Sequence, residues 1–336
     1  MRAVQHSASF ADFRTFLNNG GAQFVTCFNN ELFSGKLKNI LTWAAFIMVG
    51  LSVIINVSAY LTGAAAVFRN WFGLDEYAGM LLFYLVCTAI VFVGIKLVGI
   101  CEKLAVGAMV IVIVILLTAT FQGETCPMPA VRKGLGNAMA LFGIVGFSLS
   151  AVMSTPQVVK GLGCDAKRIR KSIVAGVLIN ATIVSLVTVT TLLGAGNDVT
   201  EDGALIDLAR HLGGWVSVVG YMFTLLALAT SFWTNAMNLR DIILEQTHWS
   251  RNAGWLAASI PPLIFAMAAM SSFVSLSRLA SVIQVVTSLG IIIAYSKSRK
   301  RTGRSPLLGR YGTVPYQAAV LICSLMATIG AVMKIK

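Results

Sequence analysis

Small, hydroxyl-bearing and proline residues interrupt one long apolar stretch of the chain, between Asn137 and Val159. The interrupting residues are Gly143, Gly146, Ser148, Ser150, Ser154, Thr155 and Pro156. In hydrocarbon, backbone groups freed by a proline are tolerated only beside protein or a water-filled cavity. The two ends of a broken helix carry partial charges that can hold the charged groups of a small ligand. We therefore predict a helix break at Pro156.

The residues expected to line a ligand site beside it are Gly143, Gly146, Phe147, Ser148 and Ser150. The alternative is that these small residues let two helices pack closely.

Hydroxyl and amide side chains in two other apolar stretches are further candidates. Thr230 and Ser231 are adjacent hydroxyls, and such oxygens are hard ligands that suit a small alkali cation. A hydroxyl that bonds back to its own helix is the alternative. Asn56 and Tyr60 lie one helical turn apart and share a face, so they are candidates for the ligand cavity. Hydrogen bonding between helices is the alternative for Asn56, and it is the expectation for Asn180.

The composition indicates the class of protein to which these residues belong. The chain has 336 residues, of which 57% are hydrophobic and 12% charged. Such a chain is an integral membrane protein, with the lipid bilayer as its surroundings. The net charge of +13 is interpreted loop by loop, because basic residues hold cytoplasmic loops inside, and no nucleic-acid partner is expected. The six cysteines show no CxxC spacing, so neither a disulfide framework nor a metal site is expected.

Apolar runs of about 18 to 25 residues, long enough to cross a bilayer, recur about nine times. They predict an all-α, polytopic membrane protein. The spans are Leu41–Thr62, Tyr77–Lys96, Leu104–Phe121, Asn137–Val159, Ile173–Ala195, Trp215–Asn238, Ala253–Met270, Leu276–Tyr295 and Tyr316–Met333.

Basic residues set the orientation of these spans. Most of the 26 lysines and arginines fall on one side when the spans alternate, which predicts the N-terminus inside and the C-terminus outside. The predicted division is a cytoplasmic N-terminal segment (1–40), three spans (41–121), an external loop (122–136), five spans beginning with the broken helix (137–295), a basic cytoplasmic loop (296–315) and a last span (316–336). Phe10, Phe13, Phe16 and Leu17 recur at helical spacing in the first segment, which predicts either an interfacial helix or a partly ordered terminus.

Several short motifs resemble one family of membrane proteins. The motifs are GFSLSAVMSTP at 146–156, KGLGCDAKRIRKSIVAG at 160–176, LATSFW at 228–233, LRDII at 239–243, Pro261-Pro262 and SSFVSL at 271–276. They resemble the sixth to tenth helices of amino acid permeases in the amino acid/polyamine/organocation (APC) superfamily. The closest likeness is to the hydroxy and aromatic amino acid branch, the tryptophan and tyrosine permeases.

The resemblance implies a five-plus-five inverted-repeat (LeuT-like) bundle in the cytoplasmic (inner) membrane. By that correspondence the spans resemble helices three to eleven, and the chain looks truncated at its N-terminus, without helices one and two. The implied function is cation-coupled uptake of an amino acid by alternating access, as in a symporter, with sodium or a proton as the coupling ion and no cofactor. Thr230 and Ser231 match the position at which sodium-coupled members bind the ion. A His that often precedes the proline in aromatic permeases is absent here.

Other classes of function remain open. No HExxH, GxSxG or P-loop pattern is present, so we expect no enzyme, no catalytic residues and no bound metal. The competing interpretations are a non-transporting receptor-like or structural subunit of the same fold, for example in germinant sensing, and an inactive fragment. The sequence does not predict an oligomeric state.

Overall fold

Every regular element in the described part of the chain is a helix. The computed structural model describes residues 22–122, 126–127, 134–149, 154–163, 165–196, 207–208, 214–269, 273–302 and 313–332. The helices are α1 (Phe24–Cys27), which continues into a π-helical turn (Phe28–Leu32), α2 (Lys38–Phe72), α3 (Glu76–Val93), α4 (Ile95–Gln122), α5 (Leu135–Ser148), α6 (Thr155–Gly161), α7 (Ala166–Ala195), α8 (Gly214–Thr247), α9 (Arg251–Ala269), α10 (Phe273–Thr302) and α11 (Val314–Val332).

Helix α2 forms the centre of the bundle and packs against α3, α8, α9 and α10. Its 35 residues span about 52 Å at 1.5 Å per residue, well beyond the ~30 Å hydrocarbon core of a bilayer. Buried side chains face several directions around it, as expected for a helix inside a membrane bundle. Gly73 ends the helix with a φ of 67°, a left-handed conformation that favours glycine.

Helix α8 runs antiparallel to α2, and contacts near both ends fix the register of the pair. The ring of Trp71 stacks on Tyr221 with centroids 5.9 Å apart. Far along the pair, a Cβ atom at Gly50 would lie 3.9 Å from Leu239 Cδ1. The register therefore brings the middle of α2, around Tyr60, beside α8 near residue 230.

Basic residues collect at one end of the bundle, which we call the basic end. Those that mark it are Lys38 at the start of α2, Lys160 in α6, Lys167 and Arg168 at the start of α7, and Arg251 at the start of α9. Arg251 Nη2 donates to the carbonyls of Phe92 at 2.9 Å and Val93 at 2.7 Å. These bonds satisfy carbonyls that the end of α3 leaves free.

The segment that contains α1 is packed into the basic end. Phe24 and Val25 are fully buried and Phe28 nearly so. Lys297 Nζ of α10 donates to the Leu32 carbonyl at 2.8 Å. A Cβ atom at Gly290 of α10 would lie 2.8 Å from the Phe28 ring, so the glycine makes room for that ring. Residues 22–32 therefore belong to the core of the bundle. The predicted interfacial residues Phe10, Phe13, Phe16 and Leu17 lie outside the described residues.

One expected loop is helical instead. The sequence predicted a connection from Lys96 to Leu104, but α3 ends at Val93 and α4 begins at Ile95. Gly94 makes the reversal alone, with a φ of 113° that an L-residue adopts only under strain. Residues 96–103 therefore form the first turns of α4, and Glu102 is part of a helix. That expectation was wrong because one glycine replaces the loop.

The prediction of an all-helical membrane protein is confirmed. A helix lies over every predicted span, and the span from Asn137 to Val159 consists of the two pieces α5 and α6. Within the described residues, five helices are long and apolar enough to cross a membrane: α2, α3, α4, residues Lys167–Ala195 of α7, and α8. The number of crossings, the division into segments and the orientation of the termini remain predictions.

Candidate functional site

A polar segment of α8, which we define as Thr230, Ser231, Thr234 and Asn235, crosses an otherwise apolar region of the bundle. The four side chains form two pairs one helical turn apart. Thr230 Oγ1 and Ser231 Oγ both donate to the Ala227 carbonyl, at 3.0 and 2.9 Å. Both hydroxyls thus bond back to their own helix, which is the alternative to cation binding given in the sequence analysis. Each oxygen keeps lone pairs for a further partner, so the cation role stays a prediction.

Tyr60 of α2 lies against this segment. Asn235 Nδ2 donates to Tyr60 Oη at 3.4 Å and to the Ser231 carbonyl at 2.9 Å. The first distance is long for an N–H···O hydrogen bond, so the contact is weak. A ligand with a stronger donor or acceptor can replace it. The structure therefore brings Tyr60 and Ser231, which were predicted separately, to one place.

Asn56 lies one turn along α2 from Tyr60 and is 6% exposed. Its Oδ1 atom is buried without a hydrogen-bond partner. Leaving a buried acceptor unsatisfied costs about 1–3 kcal/mol, so an arriving donor would be stabilised there. The interhelical hydrogen bond proposed as the alternative is not formed by this oxygen.

Glu102 of α4 approaches the polar segment from another side. Thr234 Oγ1 donates to Glu102 Oε1 at 2.6 Å, and the Thr230 carbonyl, 3.0 Å away, is an alternative acceptor for the same hydrogen. A hydrogen bond to a carboxylate is short and strong when the acceptor is charged. The polar segment therefore connects α2, through Tyr60, with a carboxylate on α4.

The broken helix lies beside the same region of α8. Helix α5 ends at Ser148 and α6 begins at Thr155, with Pro156 in its first turn, where its missing N–H costs nothing. Gln157 Nε2 of α6 donates to the Thr234 carbonyl at 3.4 Å. The half-helix after the break therefore contacts the polar segment directly.

The carbonyl end of α5 has a partner on α7. Asn180 Nδ2 donates to the Ser148 carbonyl at 2.9 Å, which confirms the predicted bond between helices. Ser148 Oγ itself donates to the Val145 carbonyl at 3.0 Å. Ser150 and the Phe147 side chain, both predicted to line the site, lie outside what the structure describes.

Gly143 and Gly146 face α11 in close helix packing. A Cβ atom at Gly330 of α11 would collide with the Met139 carbonyl of α5 and would lie 3.1 Å from the Gly143 nitrogen. A Cβ atom at Gly146 would lie 3.3 Å from Ala327 Cβ. This is the packing that small residues permit between membrane helices. Close helix packing was the alternative to ligand binding for these glycines. Their role in ligand binding stays a prediction.

Sequence reasoning missed Glu102, Gln157, Thr234 and Asn235. Thr234 and Asn235 follow the predicted Thr230 and Ser231 by one turn, so helical spacing could have found them. The signal for Glu102 was the apolar face of α4, on which Val98, Ala105 and Met109 are buried. That spacing continues through position 102. Because residues 96–103 were expected to form a loop, the helical spacing was not extended to Glu102.

Comparison with known proteins identifies the family of the chain. The sequence profile of the tryptophan/tyrosine permease family matches residues 14–332. The chain belongs to the tryptophan/tyrosine permease family. The resemblance drawn from the motifs is thereby confirmed. Among curated protein sequences, none is significantly similar to this permease.

A solved structure shares the fold of the permease. It is the crystal structure of MhsT in complex with L-phenylalanine, with a TM-score of 0.61 and 13% sequence identity. The match covers 98% of this chain and 89% of that chain. MhsT has the LeuT fold, so the predicted LeuT-like bundle is confirmed. At this identity the likeness establishes the fold alone.

The family and the fold together point to an amino acid transporter rather than an enzyme. In the described ranges, no group of three or more His, Cys, Asp and Glu side chains lies close enough to hold a metal ion. The polar groups at the site are instead hydroxyls, amides and one carboxylate. Such groups bind and orient a small polar molecule without reacting with it.

Proposed function

We propose that this permease is a secondary active transporter that carries an aromatic amino acid across the cytoplasmic membrane, coupled to a cation, by alternating access. The observation that carries the proposal is the meeting of the α8 polar segment with Tyr60, beside the break between α5 and α6. The family and the phenylalanine bound to MhsT favour an aromatic side chain on the substrate.

The chemistry of the site suits a zwitterion. Burying an ammonium or a carboxylate without partners costs many kcal/mol. Asn56 offers a buried oxygen without a partner, which fits the ammonium group. Asn235 Nδ2, whose contact with Tyr60 Oη is long at 3.4 Å, is a donor that fits the carboxylate. The substrate is thereby held by polar groups without full charges, so it can be released again.

The cation is proposed to bind beside Thr230 and Ser231. Their hydroxyl oxygens both donate to the Ala227 carbonyl, and the two residues lie about one turn from Asn235, which contacts Tyr60. Hard oxygen ligands of this kind suit sodium. A proton as the coupling ion is the competing possibility, and uptake measurements distinguish the two.

Alternating access is proposed to involve motion of α6. This half-helix is seven residues long and is proposed to move relative to α5. Its contacts through Gln157 and Lys160 join it to α8. Opening toward the basic end, the predicted cytoplasmic side, would require these contacts to break.

Uptake by proteoliposomes tests the proposal. The purified full chain is reconstituted and supplied with radiolabelled tryptophan, tyrosine or phenylalanine, under an imposed sodium gradient or an imposed proton gradient. We expect accumulation above that of protein-free liposomes, driven by one of the two gradients. Binding without accumulation, across all twenty amino acids, would favour the receptor-like or structural subunit.

A matched pair of variants locates the substrate. Asn56→Ala removes the unpaired amide oxygen and is expected to weaken substrate binding about tenfold, which corresponds to ~1.4 kcal/mol. Asn70→Ala, on the same helix, removes an amide that bonds to the Ala66 carbonyl at 2.7 Å, far from the polar segment. Equal affinities in the two variants would place the substrate elsewhere.

A further inference from the structure

A cavity of about 280 Å³ lies between α4, α6 and α8. One face of α4 lines it, with Gly99 and Glu102 among the residues, and α6 contributes Ser154 and Gln157. Thr234 of the α8 polar segment closes the third side. The cavity is distinct from the Tyr60 contact, since Thr234 and Asn235 lie on adjoining faces of α8.

The polar lining of this cavity is rich in oxygen and carries negative charge. Glu102 Oε1 accepts the hydrogen bond of Thr234 at 2.6 Å. Among the described residues, no lysine, arginine or histidine forms an ion pair with Glu102. The basic residue of α6, Lys160, is paired with Glu245 instead. The negative charge of Glu102 is therefore not balanced by a basic side chain of the described protein.

Three further oxygen atoms can join the carboxylate. Thr234 and Ser154 supply hydroxyls, and Gln157 uses its nitrogen to donate to the Thr234 carbonyl, which leaves its amide oxygen as an acceptor. Carboxylate, hydroxyl and amide oxygens are the ligands of hard cations. A single carboxylate suits a monovalent ion better than calcium, whose sites contain several carboxylates.

We propose that this cavity binds a monovalent metal cation, with Glu102 as its charged ligand and Thr234, Ser154 and Gln157 as neutral ones. The volume is several times that of a water molecule, about 30 Å³, so the ion keeps part of its hydration shell. A partly hydrated ion is held weakly, which permits exchange with the aqueous phase.

The position of the site indicates what the ion does there. Thr234 Oγ1 lies 3.0 Å from the Thr230 carbonyl, so the cavity is one helical turn from the proposed coupling-ion ligands, toward the basic end. The cavity is therefore a second binding position for the ion on that side. This inference deepens the proposed cation coupling, yet ion binding is measurable without transport.

Thermal unfolding of the purified full chain tests the site. The midpoint is measured in NaCl, in KCl and in choline chloride at equal ionic strength, and the apparent Kd is taken from a titration. We expect sodium or potassium to raise the midpoint in the wild type. Glu102→Gln, which has the same shape without the charge, should weaken the apparent Kd at least tenfold. Thr234→Val should weaken it several-fold.

A steric variant tests the same cavity without removing a ligand. A Cβ atom at Gly99 would meet nothing within 4 Å, and the same is true at Gly107 of the same helix. Only Gly99 lines the cavity. Gly99→Leu should therefore fill the cavity and weaken the apparent Kd at least tenfold, as Glu102→Gln does, whereas Gly107→Leu should keep the wild-type Kd. Leucine is the better helix former at both positions, so neither change should prevent folding.

The outcomes distinguish the proposed cation site at Glu102 from the proposed transport function. No response to either ion in the wild type, or wild-type responses in both Glu102→Gln and Gly99→Leu, would overturn the cation site. An apparent Kd that is at least tenfold weaker in both variants than in the wild type supports it, whether or not the liposomes accumulate substrate. Uptake that persists without any response to sodium or potassium would leave the transporter in place and reject this site.

Discussion

Lys160 Nζ and Glu245 Oε1 lie 2.9 Å apart, and this ion pair joins the short half-helix α6 to the end of α8. The second carboxylate oxygen of Glu245 accepts from the Gln23 backbone N–H at 2.8 Å and from Thr26 Oγ1 at 3.1 Å. One carboxylate thus holds the N-terminal segment, the broken helix and α8 together at the basic end. Its side chain is 24% exposed, so solvent screens the charges only in part.

We expect Glu245→Gln to destabilise the protein more than Lys160→Gln does. The lysine variant loses one partly exposed ion pair, worth about 0–1 kcal/mol. The glutamate variant also weakens two hydrogen bonds to a charged acceptor, worth about 1.5–3 kcal/mol each when intact. Thermal midpoints in detergent compare the two variants. Arg69→Gln, which breaks the more exposed Arg69–Glu76 pair at 3.5 Å, is the control and should have the smallest effect. A larger loss in Lys160→Gln would contradict this account.

Gly330→Ala is expected to separate α11 from α5. Its Cβ atom would fall on the Met139 carbonyl, which is backbone and cannot rotate away. Overpacking of this kind typically costs about 1–3 kcal/mol. The measurement is the thermal midpoint of the purified variant.

The matched control for that change is Gly176→Ala in α7, where an added Cβ atom would meet nothing within 4 Å. Because alanine is the better helix former, the control should be neutral or slightly stabilising. If both variants melted like the wild type, the close packing of α5 on α11 would be refuted.

Helix positions were predictable because apolar length in a bilayer is a strong constraint. The proline and the nearby hydroxyls stood out for the same reason, since each departs from the apolar pattern, but Pro156 lies within the first turn of α6. The partners across helices were not predictable. Tyr60 meets Asn235 because of the register between α2 and α8, and register between membrane helices depends on packing that hydropathy does not encode. Glu102 was not identified as a site residue because a loop was expected at residues 96–103, whereas Gly94 reverses the chain by itself and α4 begins at Ile95.

Asn180→Leu is expected to destabilise the break between α5 and α6. The Ser148 carbonyl at the end of α5 would lose the donor that lies 2.9 Å away. The bond is exposed, so its loss is expected to cost about 0.5–1.5 kcal/mol. Leucine keeps a similar volume, so the lost hydrogen bond is the main change. Thr182→Val, nearby on α7, removes only a bond to the Leu178 carbonyl of its own helix. It should melt within a degree or two of the wild type, and an equal loss in both variants would show that the break does not depend on Asn180.

The orientation of the bundle is testable with two cysteines at opposite ends of α2. Leu37, just before the helix at the basic end, is 60% exposed, and Phe72, at the other end, is 56% exposed. The excess of basic residues predicts that the basic end faces the cytoplasm. In a cysteine-free background, Phe72→Cys should therefore react with a membrane-impermeant maleimide added to intact cells. Leu37→Cys should react only after the cells are permeabilised. Because the two positions mark the two ends of one helix and have similar exposure, a difference in labelling reports the side of the membrane. The opposite pattern would reverse the predicted topology and would place the Glu102 cavity on the external side.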